Sequence, residues 1–236
     1  MPDDLLVIIP TRGRPHAIPE LMQAWDDTSA TAHVLFAVDT DDPELASYRQ
    51  HAAALKGDGR VRFAFGKRRR LVGTLNAQAV KAAKDYRYLA FLGDDHRPRP
   101  AAMAWDARIR ECLSGGPGIV YGNDLLQGEN MPTAVAMTSD IVTTLGYMCP
   151  TGFTHLCVDL VWLNWGTATG RITYLPDMVI EHLHPANGKA ALDAGYEEAN
   201  SDAMVTADTA AYYDYRDNGG LDADLDKLRK LIEEAS

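Results

Sequence analysis

Cysteine is scarce in this chain. There are three, Cys112, Cys149 and Cys157, with no metal-type spacing. They are too few for a disulfide framework, and the expected compartment is a reducing cytoplasm. Long apolar runs are also missing, so stable membrane insertion is not expected. The opening Met1-Pro-Asp-Asp4 is acidic, and no signal peptide is legible in it. Positive charge is in deficit: the formal net charge is -10, which argues against non-specific binding to nucleic acid or anionic membranes. Neither Gly-x-Gly-x-x-Gly nor Gly-x-x-x-x-Gly-Lys-Ser/Thr occurs, so dinucleotide and P-loop readings lose support. Repeats and low-complexity tracts are absent as well.

What remains is an ordinary globular composition. The 236 residues are 46% hydrophobic and 24% charged, enough to bury a real core. Leu5 to Ile9 is a continuous aliphatic run, the pattern of a strand covered on both faces. It ends in the turn-rich Pro10-Thr-Arg-Gly-Arg-Pro15, ahead of an amphipathic segment from Ile18 to Ala24. A second strand, His33 to Val38, ends at Asp39, and Pro43 to Leu55 reads as a helix. Arg60 to Phe65 alternates as a third strand, followed by the basic run Lys67 to Arg70 and a helix from Gly73 to Lys84. A fourth strand, Tyr88 to Leu92, runs straight into Gly93-Asp94-Asp95-His96.

Alternating strands and helices imply an α/β fold with a mainly parallel sheet and right-handed crossovers. In such a sheet Thr11/Arg12, Asp39 and Asp94/Asp95 fall at one edge and can line one pocket. Adjacent carboxylates repel unless a cation lies between them. A hard divalent metal is therefore the natural occupant of Asp94-Asp95, although Gly-Asp-Asp is also ordinary turn chemistry.

These residues resemble the nucleotide-sugar domain of GT-A glycosyltransferases, family-2-like. The resemblance rests on Pro10-Thr-x-x-Arg14 after the first strand, Asp39 after the second, Gly73-x-x-Asn76 before the fourth, and Phe91-Leu-Gly-Asp-Asp95. It departs in having Asp-Asp-His where the family has three acids, and in lacking an Arg-Asn pair in the Gly73 helix. The resemblance implies a GT-A (Rossmann-like) twisted sheet with a C-terminal acceptor-side elaboration. The whole of 1–236 would be one unit, with a nucleotide-sugar half (1–100), an acceptor and catalytic half (101–215) and a C-terminal helix (216–236). It implies donor contacts from Pro10, Thr11, Arg12, Arg14, Asp39, Gly73, Asn76 and Asp94. Mn²⁺ or Mg²⁺ would sit on Asp94 and Asp95, with His96 as a further candidate.

Further along, Ala101 to Leu113 reads as a helix, closed by Ser114-Gly-Gly-Pro-Gly118. Ile119 to Tyr121 and Thr133 to Met137 read as strands, Asp140 to Tyr147 as a helix, and Leu125 to Pro132 as a loop beside the pocket. Asp159 is a lone acid among Cys157, Val158, Leu160, Val161 and Trp162, costly to bury unless paired or functional. The resemblance makes it the catalytic base of an inverting transfer, with Asp124 and Asp177 as fallbacks. Arg171 to Leu175 and Asp177 to His184 read as two strands with a turn between, placing His182 and His184 on one face. By resemblance one of them completes the metal site. Gly188-Lys189 and the acids after it read as a mobile loop over the diphosphate, and Leu221 to Ala235 as a closing helix.

The expected activity is sugar transfer from a nucleoside diphosphate donor, UDP-linked by expectation, to a hydroxyl. The acceptor stays open among a polysaccharide, a protein, a small molecule and a modified DNA base. Two other readings keep the fold: a nucleotidyltransferase, disfavoured by the single glycine in the first loop, and a nucleotide-sugar-binding module without turnover.

Overall fold

The computed structural model describes residues 4–235; the acidic opening Met1 to Asp3 lies outside them. β1 (Leu5–Thr11), α1 (Ala17–Asp27), β2 (His33–Asp39), α2 (Leu45–Ala54), β3 (Val61–Gly66), α3 (Arg70–Ala82) and β4 (Tyr88–Phe91) alternate as expected. β5 (His96–Pro98), α4 (Trp105–Leu113), β6 (Ile119–Asn123), β7 (Val135–Thr138) and α5 (Ser139–Leu145) follow. α6 (Val158–Thr169), β8 (Ile172–His182), α7 (Ala194–Ala199), α8 (Asp202–Asp217) and α9 (Gly220–Glu234) complete the chain.

The strands form one sheet in the order β3-β2-β1-β4-β7-β6-β8-β5. The first four are mutually parallel, whereas β7 runs antiparallel to both β4 and β6. The continuous apolar run of β1 has a simple cause. Leu5, Val7 and Ile9 enter one core with Leu21 and Trp25 of α1 and Trp105 of α4. Leu6 and Ile8, pointing the other way, enter a second core with Leu75 of α3, Trp162 of α6 and Leu228 of α9. Both faces of the sheet are thus covered by helices, and each fully buried aliphatic side chain contributes about 1.5–3 kcal/mol.

The expected pair of strands near the end of the sheet changes. Ile172–His182 form one strand, β8, not two: the register jumps from Gly122↔Leu175 to Asn123↔Val179, so Pro176 and Asp177 sit in a bulge, a usual place for a proline that cannot donate to the ladder. His96–Pro98, beyond the end of the expected fourth strand, form a further strand that pairs antiparallel with β8. The stretch expected as a mobile loop, from Gly188 on, follows a short helical turn at Pro185–Asn187, and its acids continue into α7.

Candidate active site

Because β1, β2 and β4 are parallel, their carboxyl ends open on one edge of the sheet, where a cleft of about 500 Å³ lies. Pro10, Thr11, Arg12, Arg14, Asp39, Asp94, Asp95, His96, Asp159, His182 and His184 all line it.

At the end of β1, the Thr11 hydroxyl donates to Asp94 Oδ2 at 2.7 Å and lies 2.9 Å from the Tyr48 hydroxyl. Arg14 Nη1 donates to Asp94 Oδ1 at 2.8 Å and lies 3.5 Å from Asp95 Oδ2. Burial and the neighbouring Asp95 carboxylate push Asp94 above its ordinary range. Both of its oxygens are already held, so Asp94 ties the first loop to the fourth strand.

The next residues form a tighter group. Asp95, His96 and His182 offer ligand atoms that all lie within 4.8 Å of one another. His96 and His182 meet because they are register partners across β5 and β8, and their rings stack at 4.2 Å. The N–H of Gly93 donates to His96 Nδ1 at 3.1 Å, which places the proton of the neutral ring on Nε2. Asp95 Oδ1 stands 3.1 Å from the same Nδ1, so two acceptors face each other. Burial pushes the His96 imidazole down, towards the neutral form. His182 does the reverse: burial opposes its charge, but Asp124 and Asp95 raise it to about 9. Burial likewise works against the Asp95 carboxylate, and the His182 cation outweighs it, holding the group well below the ordinary range. His96 Nε2 and His182 Nδ1 are buried without a hydrogen-bond partner. The lone pairs of Asp95 Oδ1 and His96 Nδ1 that face each other, together with His182 once it gives up its proton, make a mixed carboxylate–imidazole set that fits a divalent cation. Gly93 is required here, since a Cβ would lie 2.4 Å from Asp95 Oδ1 and 2.8 Å from His96 Nδ1.

The segment around α7 lines the cleft through Gly195, Tyr196 and Glu198. Asp193 takes two hydrogen bonds from Arg14, at 2.7 and 2.9 Å. The Tyr196 hydroxyl lies 2.6 Å from Asp95 Oδ2, and its ring packs under the Arg14 guanidinium at 4.1 Å. Glu198 accepts from Arg68 at 2.5 Å and also from Arg70. Arg12 donates to Asp39 at 3.3 Å and to Asp41 at 2.7 Å, Arg68 lies 3.8 Å from the same Asp39, and burial pushes Asp39 upward. Arginines at 12, 14, 68 and 70 therefore ring one cleft, each held by acids.

Asp159 sits in the first turn of α6 on the cleft wall. It accepts one hydrogen bond, from the N–H of Leu160 at 2.9 Å, and burial pushes it above the usual carboxylate range.

Several expected residues are otherwise engaged. Gly73 and Asn76 do not line the cleft: α3 begins three residues earlier, at Arg70. The Asn76 amide accepts from the N–H groups of Met148 and Cys149, both at 2.9 Å, and donates to the Cys149 carbonyl at 2.7 Å, which makes it a tether for that loop. Asp124 is spent on its own turn, accepting from the N–H groups of Leu126, Gln127 and Gly128 and from Thr133. Asp177 is exposed and paired with Arg108 at 3.4 Å. His184 Nδ1 accepts from the Ala186 N–H at 3.1 Å and caps the helical turn, so of the two histidines it is His182 that joins Asp95. Nothing in the sequence singles out Tyr196, whereas Asp193 and Glu198 fall among the acids after Lys189.

Against solved structures, the chain aligns with the mannosyltransferase PcManGT from Pyrobaculum calidifontis, in complex with GDP-Man and Mn²⁺. The TM-score is 0.62 over 100% of this chain and 77% of that one, at 14% identity. The fold is that of GT-A glycosyltransferases. TarS from S. aureus, in complex with UDP-GlcNAc, aligns at 10% identity with a TM-score of 0.55 over 92% of this chain and 74% of its own. No family model matches the sequence, and no curated protein does. In the GT-A frame, the cleft occupies the carboxyl edge where open α/β sheets take ligands. Among the described residues no helix is long and apolar enough to cross a membrane.

Proposed function

We propose that this protein is a glycosyltransferase that moves a sugar from a nucleoside diphosphate sugar to an acceptor hydroxyl. The observation that carries this reading is the meeting of the Asp95–His96–His182 group with four arginines in one cleft of a GT-A fold. Asp95, His96 and His182 would hold the metal, and their mixed oxygen and nitrogen donors suit Mn²⁺ better than the all-oxygen preference of Mg²⁺. A divalent cation there supplies charge neutralisation for the departing diphosphate.

The remaining steps belong to the chain. Arg14, Arg68 and Arg70 present fixed positive charge to the diphosphate. Asp39 and the backbone of Pro10 and Thr11 hold the nucleoside, with Arg12 fixing Asp39. Asp159 takes the acceptor hydroxyl proton as its oxygen attacks the anomeric carbon. A single displacement of this kind inverts the anomeric configuration. Residues 1–100 hold the donor, and 101–215 supply the base and the acceptor side.

Thermal shift with a panel of UDP- and GDP-sugars, with and without Mn²⁺, tests the reading. A Tm rise that needs both nucleotide and metal, and that Asp95→Ala abolishes, is the expected result. No shift with any nucleotide sugar overturns it.

A further inference from the structure

Asp208 is almost fully enclosed, with 1% of its surface exposed, and it does not line the cleft. Its carboxylate nevertheless accepts three consecutive backbone N–H groups: Thr154 at 2.9 Å, His155 at 2.8 Å and Leu156 at 2.6 Å. Charge-assisted hydrogen bonds of this kind are strong and hold peptide planes in fixed directions. The Thr154 carbonyl in turn accepts from the N–H of Val72 in α3 at 3.2 Å. The loop is therefore pinned from two sides. Directly after it, Cys157 takes a left-handed backbone, φ +65°, and the chain turns into α6 with Asp159 in its first turn. His155, Leu156, Cys157, Val158 and Asp159 all line the cleft.

We propose that Asp208 is a positioning residue for the catalytic base: by clamping the 154–156 backbone it sets where α6 starts and so where Asp159 meets the acceptor hydroxyl. The inference rests on the glycosyl-transfer reading above. Asp208 touches no substrate; it acts through three peptide groups. It is also joined in sequence to the segment over the metal group, since α7, carrying Tyr196 and Glu198, leads directly into α8. One stretch of chain thus holds both Asp95 and the base loop.

Asp208→Asn tests the idea. An amide offers one acceptor oxygen and a donor NH₂, so at least one of the three N–H groups loses its partner in either orientation. Transfer kinetics are measured on the folded variant with Mn²⁺ and a saturating nucleotide sugar. The expected result is a kcat lower by about tenfold to a hundredfold, the size of a base displaced by about 1 Å, with nucleoside diphosphate affinity and donor KM unchanged. Combining it with Asp159→Asn should cost no more than Asp159→Asn alone, because a clamp without its base has nothing to position. Asp106→Asn is the control for a lost buried carboxylate. That group, on α4, accepts from the N–H groups of Thr31 and Ala32, both at 2.8 Å, and does not line the cleft, so its loss should lower Tm and leave kcat alone. If Asp208→Asn does not fold, Asp208→Glu keeps the charge, displaces the loop and gives the same readout. An impaired Asp159→Asn beside a normal Asp208 variant overturns this inference alone, as do Asp208 and Asp159 effects that multiply. Absence of transfer by the wild-type protein overturns it together with the functional reading.

Discussion

At the scale of single residues, the cleft holds carboxylates whose charged form burial disfavours. Asp159 is the clearest case, since burial makes its charge costly and no cation compensates it. The folded state therefore binds a proton more tightly than the unfolded chain does. Stability falls as pH rises through that window, and the deficit is complete above the raised folded-state value. Asp159→Asn should accordingly raise Tm at neutral pH, with no gain under acid conditions where the native side chain is already protonated. In the same variant transfer should fall by about 10²- to 10⁴-fold, the usual contribution of a general base. Thermal melts at two pH values and initial rates check both halves. Asp159 was legible in the sequence as a lone acid in an apolar run. The fate of Asn76 and Asp124 was not, because a side chain that serves backbone N–H groups in a loop looks the same in sequence as one that serves a ligand.

Among the elements, the N-terminal strands could be read because each is a compact apolar run ending in a polar cluster. β5 could not: it is three residues long, carries His96, Arg97 and Pro98, and exists through its pairing with β8. Yet that pairing is what brings His96 opposite His182. α7 and α8 escaped notice for a related reason. In α8 the buried position is the acid Asp208, with no apolar stripe to reveal the helix. The segment they form places acids against the cleft arginines, so on the proposed function those acids would compete with an incoming diphosphate. Glu198→Gln, which weakens the hold on Arg68 and Arg70, should tighten nucleoside diphosphate binding by about two- to fivefold, as suits a partly exposed ion pair. Calorimetry at low salt measures this, and equal or weaker binding would contradict the competition.

For the whole molecule, the two cores divide the labour. The one under α1 and α4 backs β1 and β2, whereas the other is shared by α3, α5, α6 and α9. The expected C-terminal helix is therefore integral to the wall that carries Asp159. Its Leu228 is 3% exposed, and Leu228→Ala should cost about 2–5 kcal/mol of unfolding free energy. Urea unfolding measures that cost, and nucleotide binding should be retained at temperatures where the variant is folded. The net charge of -10 says little about the cleft, because the arginines that matter are gathered at one edge of the sheet.

The cores also distribute the tryptophans in a useful way. Trp25 and Trp105 pack edge-to-face at 5.0 Å on the α1 side, remote from the cleft lining. Trp162 alone of the four reaches the cleft wall, where it rests against Phe91 with ring centroids 5.7 Å apart. The molecule thus carries its own optical reporter. On the proposed function, a nucleotide sugar held beside Phe91 would alter the surroundings of this one buried indole and leave Trp25 and Trp105 as an internal reference, so a change in intrinsic fluorescence on adding the nucleotide sugar is the expected outcome.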